Sequence, residues 1–396
     1  MSRRVRLVVA ALAALVLAGL ATLPARARVK TARVPQGFVG VDVDGPLISG
    51  DNSLSLAGQM QTMVSDGVQT IRIAFNWAAA EPYARPSQVP ADQASDFTTV
   101  NGVPVDFSTT DQVVADAARL RLQILPTVLY TPSWDTVHNA KGVDFPQRPG
   151  PYAAYLTALI GRYGPHGSFW TANPSIPKQP IRQWQIWNEP NIAYYWRQPF
   201  AAGYAQLLKA SHAAIAKADP GARTVLGALT DFAWVSFAQL AKRPGFISDF
   251  DVAAVNGFTK KPADVIHYMQ FMRRAMNHYG AQGKPLLATE VSWPSAVGQT
   301  KGFDFDTTQA GQARNRAALL PMIAANYRQL GLAGFDWYTW MGAEVRHAPT
   351  PFDFSGLLAF ADGKVRAKPA LRVFRAGALK LEGCRSKGRL ATDCRH

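Results

Sequence analysis

Acidic residues are scarce in this 396-residue chain: 27 Asp and Glu stand against 42 Lys and Arg, for a formal charge of +15. Glu occurs only as Glu81, Glu189, Glu290, Glu344 and Glu382. Cysteine is nearly absent, with Cys384 and Cys394 close to the C-terminus, and neither sits in a setting that would activate a thiol. The seven His form no H-E-x-x-H or other ligand spacing, so no metal is expected. There is no G-x-S-x-G elbow for an acyl-transfer serine. No G-x-G-x-x-G or phosphate loop follows the first candidate strand, so no cofactor is expected.

Long apolar runs are also missing, except Leu7 to Leu23. That run follows Met1-Ser2-Arg3-Arg4-Val5-Arg6 and precedes Pro24-Ala25-Arg26-Ala27, the order of a secretory signal cut after Ala27. Its length is near the lower limit for a membrane span, so an uncleaved anchor is the alternative. Either reading places the protein outside the cell or on its envelope. Cleavage would remove Arg3, Arg4, Arg6 and Arg26 and no acid, leaving a strongly basic chain. Such a charge attracts anionic envelope polymers. Because Lys and Arg are scattered rather than grouped with aromatics, nucleic acid is not an expected partner. In an oxidising compartment Cys384 and Cys394 are expected to pair and staple a basic tail, residues 377–396. A monomer is expected.

Short β-branched or aromatic runs alternate with longer amphipathic stretches along the rest of the chain. The strand candidates are Phe38 to Val43, Val68 to Phe75, Gln123 to Leu129, Ile181 to Trp187, Thr224 to Ala228, Val252 to Asn256, Pro285 to Thr289 and Gly334 to Thr339. Helical patterns run over Leu54 to Ser65, Asp111 to Leu120, Tyr152 to Tyr163, Ala201 to Ala218, Ala263 to Tyr279, Thr308 to Leu330 and Pro369 to Ala376. Eight such alternations predict one α/β domain over residues 28–376, a (β/α)8 TIM barrel. The insertions Glu81 to Thr110 and Thr131 to Gly150 are expected to form cleft walls.

Two of the few Glu occupy matching settings. Trp187-Asn188-Glu189-Pro190-Asn191 closes the fourth strand, and Thr289-Glu290-Val291-Ser292-Trp293 closes the seventh. Barrel enzymes carry their chemistry at those strand ends. Two carboxyls facing one another there suit glycosidic cleavage, which needs an acid for the leaving oxygen and a carboxylate at the anomeric carbon. Strict alternation would send Asn188 and Glu189 to opposite faces, so the strand is expected to turn irregular there. Trp77 and Trp293, beyond strand ends, offer aromatic faces to a sugar, and Asn256 and Tyr338 are further candidate contacts.

Asn188-Glu189-Pro190 after strand four, with Glu290 after strand seven, resembles the retaining glycoside hydrolases of clan A, most nearly families 39 and 5. The resemblance covers about Gly37 to Ala376. It implies that Glu189 is the general acid/base and Glu290 the nucleophile, and that Asn188 binds the hydroxyl beside the anomeric carbon. It further implies that Arg72 keeps the nucleophile ionised and that Trp340 forms an aromatic floor under the sugar. Many relatives carry His-x-Tyr after strand six, where this chain has Asn256-Gly257-Phe258. Phe258 cannot donate the tyrosine's hydrogen bond to the nucleophile, so either another hydroxyl such as Tyr338 or Tyr130 supplies it or Glu290 has a different basicity. On this reading the protein hydrolyses a polysaccharide or oligosaccharide by double displacement. A barrel that binds carbohydrate without cleaving it is the alternative.

Overall fold

The computed structural model describes residues 34–48, 53–300, 302–345, 348–384 and 390–394. The expected signal segment, residues 1–27, lies outside them. Eight strands carry the fold: β1 (Val39–Val43), β2 (Thr70–Asn76), β3 (Gln123–Leu129), β4 (Gln183–Ile186), β5 (Arg223–Val225), β6 (Ala253–Asn256), β7 (Leu286–Val291) and β8 (Leu332–Trp337). They form one parallel sheet in the order β6-β7-β8-β1-β2-β3-β4-β5. Single parallel bridges, Val225 to Val252 and Leu229 to Val255, bring its two edges together. The result is a nearly closed (β/α)8 TIM barrel, as the alternation predicted.

A helix follows each strand: α1 (Leu56–Ser65), α2 (Ser108–Arg119), α3 (Pro149–Tyr163), α4 (Ala201–Ala218), α5 (Ala233–Ala241), α6 (Pro262–His278), α7 (Gln309–Leu330) and α8 (Pro369–Leu381). Their ends follow local chemistry. Pro149, Pro262 and Pro369 open α3, α6 and α8, where a missing N–H costs nothing. Thr308 caps α7 by accepting from Gly311 N at 3.1 Å. Gly331 ends α7 at φ +59°, a conformation glycine adopts without strain. Helix α5, nine residues long, is additional to the seven helical patterns expected from sequence.

Apolar strand residues such as Leu125, Val225, Val252, Ala254 and Leu287 pack inside the barrel. Each of the Val and Leu side chains contributes about 1.5–3 kcal/mol on leaving water. Closer to the strand C-termini the interior turns polar, with Asp42, Arg72, Gln185 and Asp336 all buried. Gly40 on β1 makes room for this layer, because a Cβ there would run into the Asp336 carboxylate. The C-terminal segment is tied down by a Cys384–Cys394 disulfide and by Gln69 Nε2 donating to Ala391 O at 2.9 Å.

Candidate active site

Strand β4 ends irregularly, as the Asn188–Glu189 pair required. Trp187 and Glu189 both have positive φ, +68° and +41°, which non-glycine residues hold only when their surroundings fix them. The Trp187 indole is that anchor: it donates to Tyr195 O at 3.0 Å and packs edge-on against Tyr152 and Trp196. The twist turns Asn188 and Glu189 toward the same cavity. On the facing strands the ladder is irregular too, with the β6–β7 register shifting where Asn256 meets Glu290.

Arg72, from β2, joins these groups. Its Nη1 donates to Asp42 Oδ1 at 2.6 Å and to Glu290 Oε1 at 2.7 Å. Its Nη2 reaches Asn188 Oδ1 at 2.8 Å, and its Nε reaches Gln185 Oε1 at 2.7 Å. Glu189 is held from the other side by Asn256 Nδ2 at 2.8 Å. Asn256 Oδ1 in turn accepts from Thr289 Oγ1 at 2.8 Å. Asn256 is fully buried, so it acts on Glu189 rather than on the open cavity.

Four carboxyls thus surround one guanidinium, and they cannot all ionise. Burial works against the charge on Arg72, but Asp42, Glu290 and Asp336 outweigh it and hold the guanidinium charged. Burial pushes Glu189 up, and the Glu290 charge adds to that. Asn256 and Arg72 pull back, and the balance stands at about 8. Glu290 is also raised by burial, with Arg72 as the main force keeping it ionised. Burial raises Asp42 well above the ordinary range and takes Asp336 to about 7. At neutral pH the arrangement favours a protonated Glu189 beside an ion-paired Glu290.

The cavity above this floor measures about 600 Å³. Its rim includes Asp44, Tyr130, Tyr194, Tyr195, Phe258, Phe303, Tyr338 and Phe352. Neither insertion expected to wall the cleft lines it. Glu81 is buried and accepts from the Trp77 indole at 2.7 Å, and residues 98–105 close on themselves as a hairpin. The segment after Thr131 lies beneath the β4 loop instead, where Asn139 Nδ2 donates to Ala193 O and Tyr194 O at 3.0 Å.

Three tryptophans expected to face sugar are fully buried. Trp77 packs edge-on against Trp134 and Tyr152. Trp293 lies against Trp337, 6.1 Å between centroids. The chain turns at the end of β8, so Tyr338 faces the cavity while Trp340 turns back onto α1, its indole 2.8 Å from Gln59 Oε1. The expected floor is therefore absent at Trp340. Tyr338 does not replace the missing tyrosine hydroxyl either, because it donates to Asp44 Oδ2 at 2.8 Å. The Tyr195 phenol lies against Asn188 instead, and burial together with the charges of Glu189 and Glu290 raises it. Sequence reading missed the parts played by Asp42, Asp44, Gln185 and Asp336. Their only signal was position, an acid or amide inside an otherwise apolar strand or just past its end. Among the described residues no cluster of His, Cys, Asp and Glu could hold a metal.

No family model matches the sequence, and no curated protein matches it. Solved structures do. A monomeric beta-xylosidase from Caulobacter crescentus CB15 shares 19% identity over 87% of this chain and 68% of its own, with a TM-score of 0.59. The GH39 enzyme from Xanthomonas axonopodis pv. citri shares 18% identity over 87% of this chain and 66% of its own, also at 0.59. The Ignisphaera aggregans GH53 catalytic domain shares 18% over 86% of this chain and 96% of its own, at 0.54. The chain spans about two thirds of the length of the first two. Identities this low show the fold alone, a nearly closed eight-stranded barrel that this chain shares with these solved glycosidase structures.

Proposed function

We propose that the protein is a retaining glycoside hydrolase. The observation that carries this reading is the division of labour between two carboxyls in one cavity: Glu189 raised to about 8, and Glu290 in a 2.7 Å ion pair with Arg72. In the first step a Glu290 oxygen attacks the anomeric carbon while the bond to the leaving oxygen breaks. That oxygen takes its proton from Glu189. In the second step Glu189 removes a proton from water, the water oxygen attacks the same carbon, and Glu290 departs as carboxylate. Asn188, oriented by Arg72, is placed to meet the neighbouring hydroxyl, a contact worth most in the transition state.

The substrate is an oligosaccharide, polysaccharide or smaller glycoside, and the site of action lies outside the cytoplasm. The Cys384–Cys394 disulfide supports an oxidising compartment, and no helix among the described residues is long and apolar enough to cross a membrane. The test is covalent. A 2-deoxy-2-fluoroglycosyl inactivator should label Glu290, and Glu290→Ala should lose several orders of magnitude in turnover and regain part of it with azide, as a glycosyl azide. Full activity in both Glu290→Ala and Glu189→Gln would overturn the assignment.

A further inference from the structure

The cavity has two unlike sides. Its floor is polar, built from Asp42, Arg72, Asn188, Glu189 and Glu290. Over the loops that follow β6, β7 and β8 stands a wall of four phenylalanines. Phe258 packs 5.8 Å from Phe305 and 4.9 Å from Phe352. Phe303 stacks on Phe305 at 5.0 Å and meets Phe352 at 5.1 Å. Tyr338 closes the group edge-on, 6.1 Å from Phe258, but its hydroxyl is held by Asp44. Three loops that are distant in sequence therefore converge on one apolar face. Phe303 remains 44% exposed on it.

A sugar stacked on an aromatic ring still needs hydrogen-bond partners around its edge. This wall has few to give. Phe carries no polar handle, and each polar side chain beside it holds a backbone N–H of its own loop. Thr350 Oγ1 accepts from Phe352 N at 3.3 Å, Asp353 Oδ2 from Thr350 N at 3.2 Å, and Asp306 Oδ2 from Phe303 N at 2.9 Å. Tyrosine at position 258 would have added a hydroxyl; phenylalanine keeps the wall entirely carbon. An exposed apolar face inside a reaction cavity needs an apolar occupant to remove it from water.

We infer that the substrate is an amphiphilic glycoside, whose sugar sits on the carboxylate floor and whose alkyl, acyl or aryl group lies against Phe258, Phe303 and Phe352. The inference rests on the proposed hydrolase reading for the position of the sugar, but the wall can be tested without turnover. Methyl, butyl and octyl glycosides of one sugar differ little in leaving-group basicity and greatly in apolar surface. Each methylene that reaches the wall is worth about fourfold in binding.

The experiment measures dissociation constants by titration calorimetry and kcat/KM for this series, on glucosyl, xylosyl and galactosyl scaffolds, below micelle-forming concentrations. Wild type should bind the octyl glycoside at least tenfold more tightly than the methyl glycoside. Phe303→Ser, at an exposed site that tolerates a small polar residue, should remove most of that gain, as should Phe258→Asn, while leaving affinity for the methyl glycoside within about twofold. A wild type indifferent to chain length would overturn the inference, as would a gain that both variants retain. Chain-length-dependent binding without hydrolysis of any glycoside would keep the wall and remove the hydrolase reading. Hydrolysis without chain-length dependence would do the reverse.

Discussion

Arg72 Nη1 lies 2.7 Å from Glu290 Oε1 and shares its positive end with Asp42. Strand β2 thereby sets the ionisation of a carboxyl on β7. Removing the cation leaves two buried carboxyls facing each other, and breaking a buried pair this way costs about 3–5 kcal/mol. The Glu290 pKa, already raised by burial, would rise further because the main force lowering it is gone. The proposed attack needs Glu290 ionised, so the acid limb of kcat/KM should move to higher pH. Arg72→Met is expected to unfold at lower temperature and to lose at least about 100-fold in activity at neutral pH. Arg72→Lys keeps the charge without the four-way fork, and should fall between the two. An unchanged acid limb in Arg72→Met would show that Glu290 does not depend on Arg72.

Glu189 works in the opposite direction. As the proposed acid it would act only while protonated, so activity should persist below its pKa and be lost as pH rises through about 8. Asn256 donates to Glu189 and stabilises its charged form. Asn256→Ala should therefore shift the basic limb to still higher pH. It also lowers Glu290 in the intact site, so the acid limb should move the same way. A pH–rate profile of both proteins on one glycoside decides this, and a basic limb that stays in place rules out the link.

The barrel was legible because parallel strands buried on both faces read as short apolar runs, and helices between them show a 3.6 period. Glu189 and Glu290 stood out because acids are scarce and both close such a run. What sequence withheld depends on direction rather than identity. Trp340 and Tyr338 are two residues apart and equally aromatic, yet the turn at the end of β8 sends one to α1 and the other to the cavity. The insertions were long enough to wall a cleft, but Asn139 folds one of them beneath the β4 loop. The phenylalanine wall draws on residues 258, 303 and 352, whose meeting no local pattern announces.

Gly40 tests whether the polar layer beneath the site is as closely fitted as its contacts indicate. A methyl group there would run into the Asp336 carboxylate, which is buried between β1 and β8 and cannot swing into solvent. Gly40→Ala is expected to destabilise by about 1–3 kcal/mol through overpacking. Because Asp336 acts electrostatically on Arg72 and Asp42, activity should fall with it. A thermal midpoint within a degree of wild type would mean that Asp336 can relax.

Arg316, on α7, is the counterpart of Arg72 and predicts the opposite result. It is fully buried, and among the described residues its Nε, Nη1 and Nη2 find no acceptor. Its guanidinium carbon instead lies 4.4 Å from the Phe374 ring centre, 4.6 Å from Trp337 and 5.1 Å from Phe335. Aromatic faces return about 2 kcal/mol to a desolvated cation, whereas taking the ion out of water costs several kcal/mol. Burial accordingly pushes its pKa well down. A base whose folded pKa is lowered costs the fold stability at every pH below its unfolded pKa, neutral pH included. Methionine fills similar space, contacts the same rings and carries no charge. Arg316→Met is expected to raise stability by about 1–4 kcal/mol, read as a higher midpoint in thermal or denaturant unfolding, with kcat/KM unchanged because α7 carries no group of the site. A loss of stability would show that the three rings hold the cation more strongly than its desolvation costs. Arg72→Met and Arg316→Met make the same chemical change in one barrel, and the presence or absence of a carboxylate partner sets the sign of each.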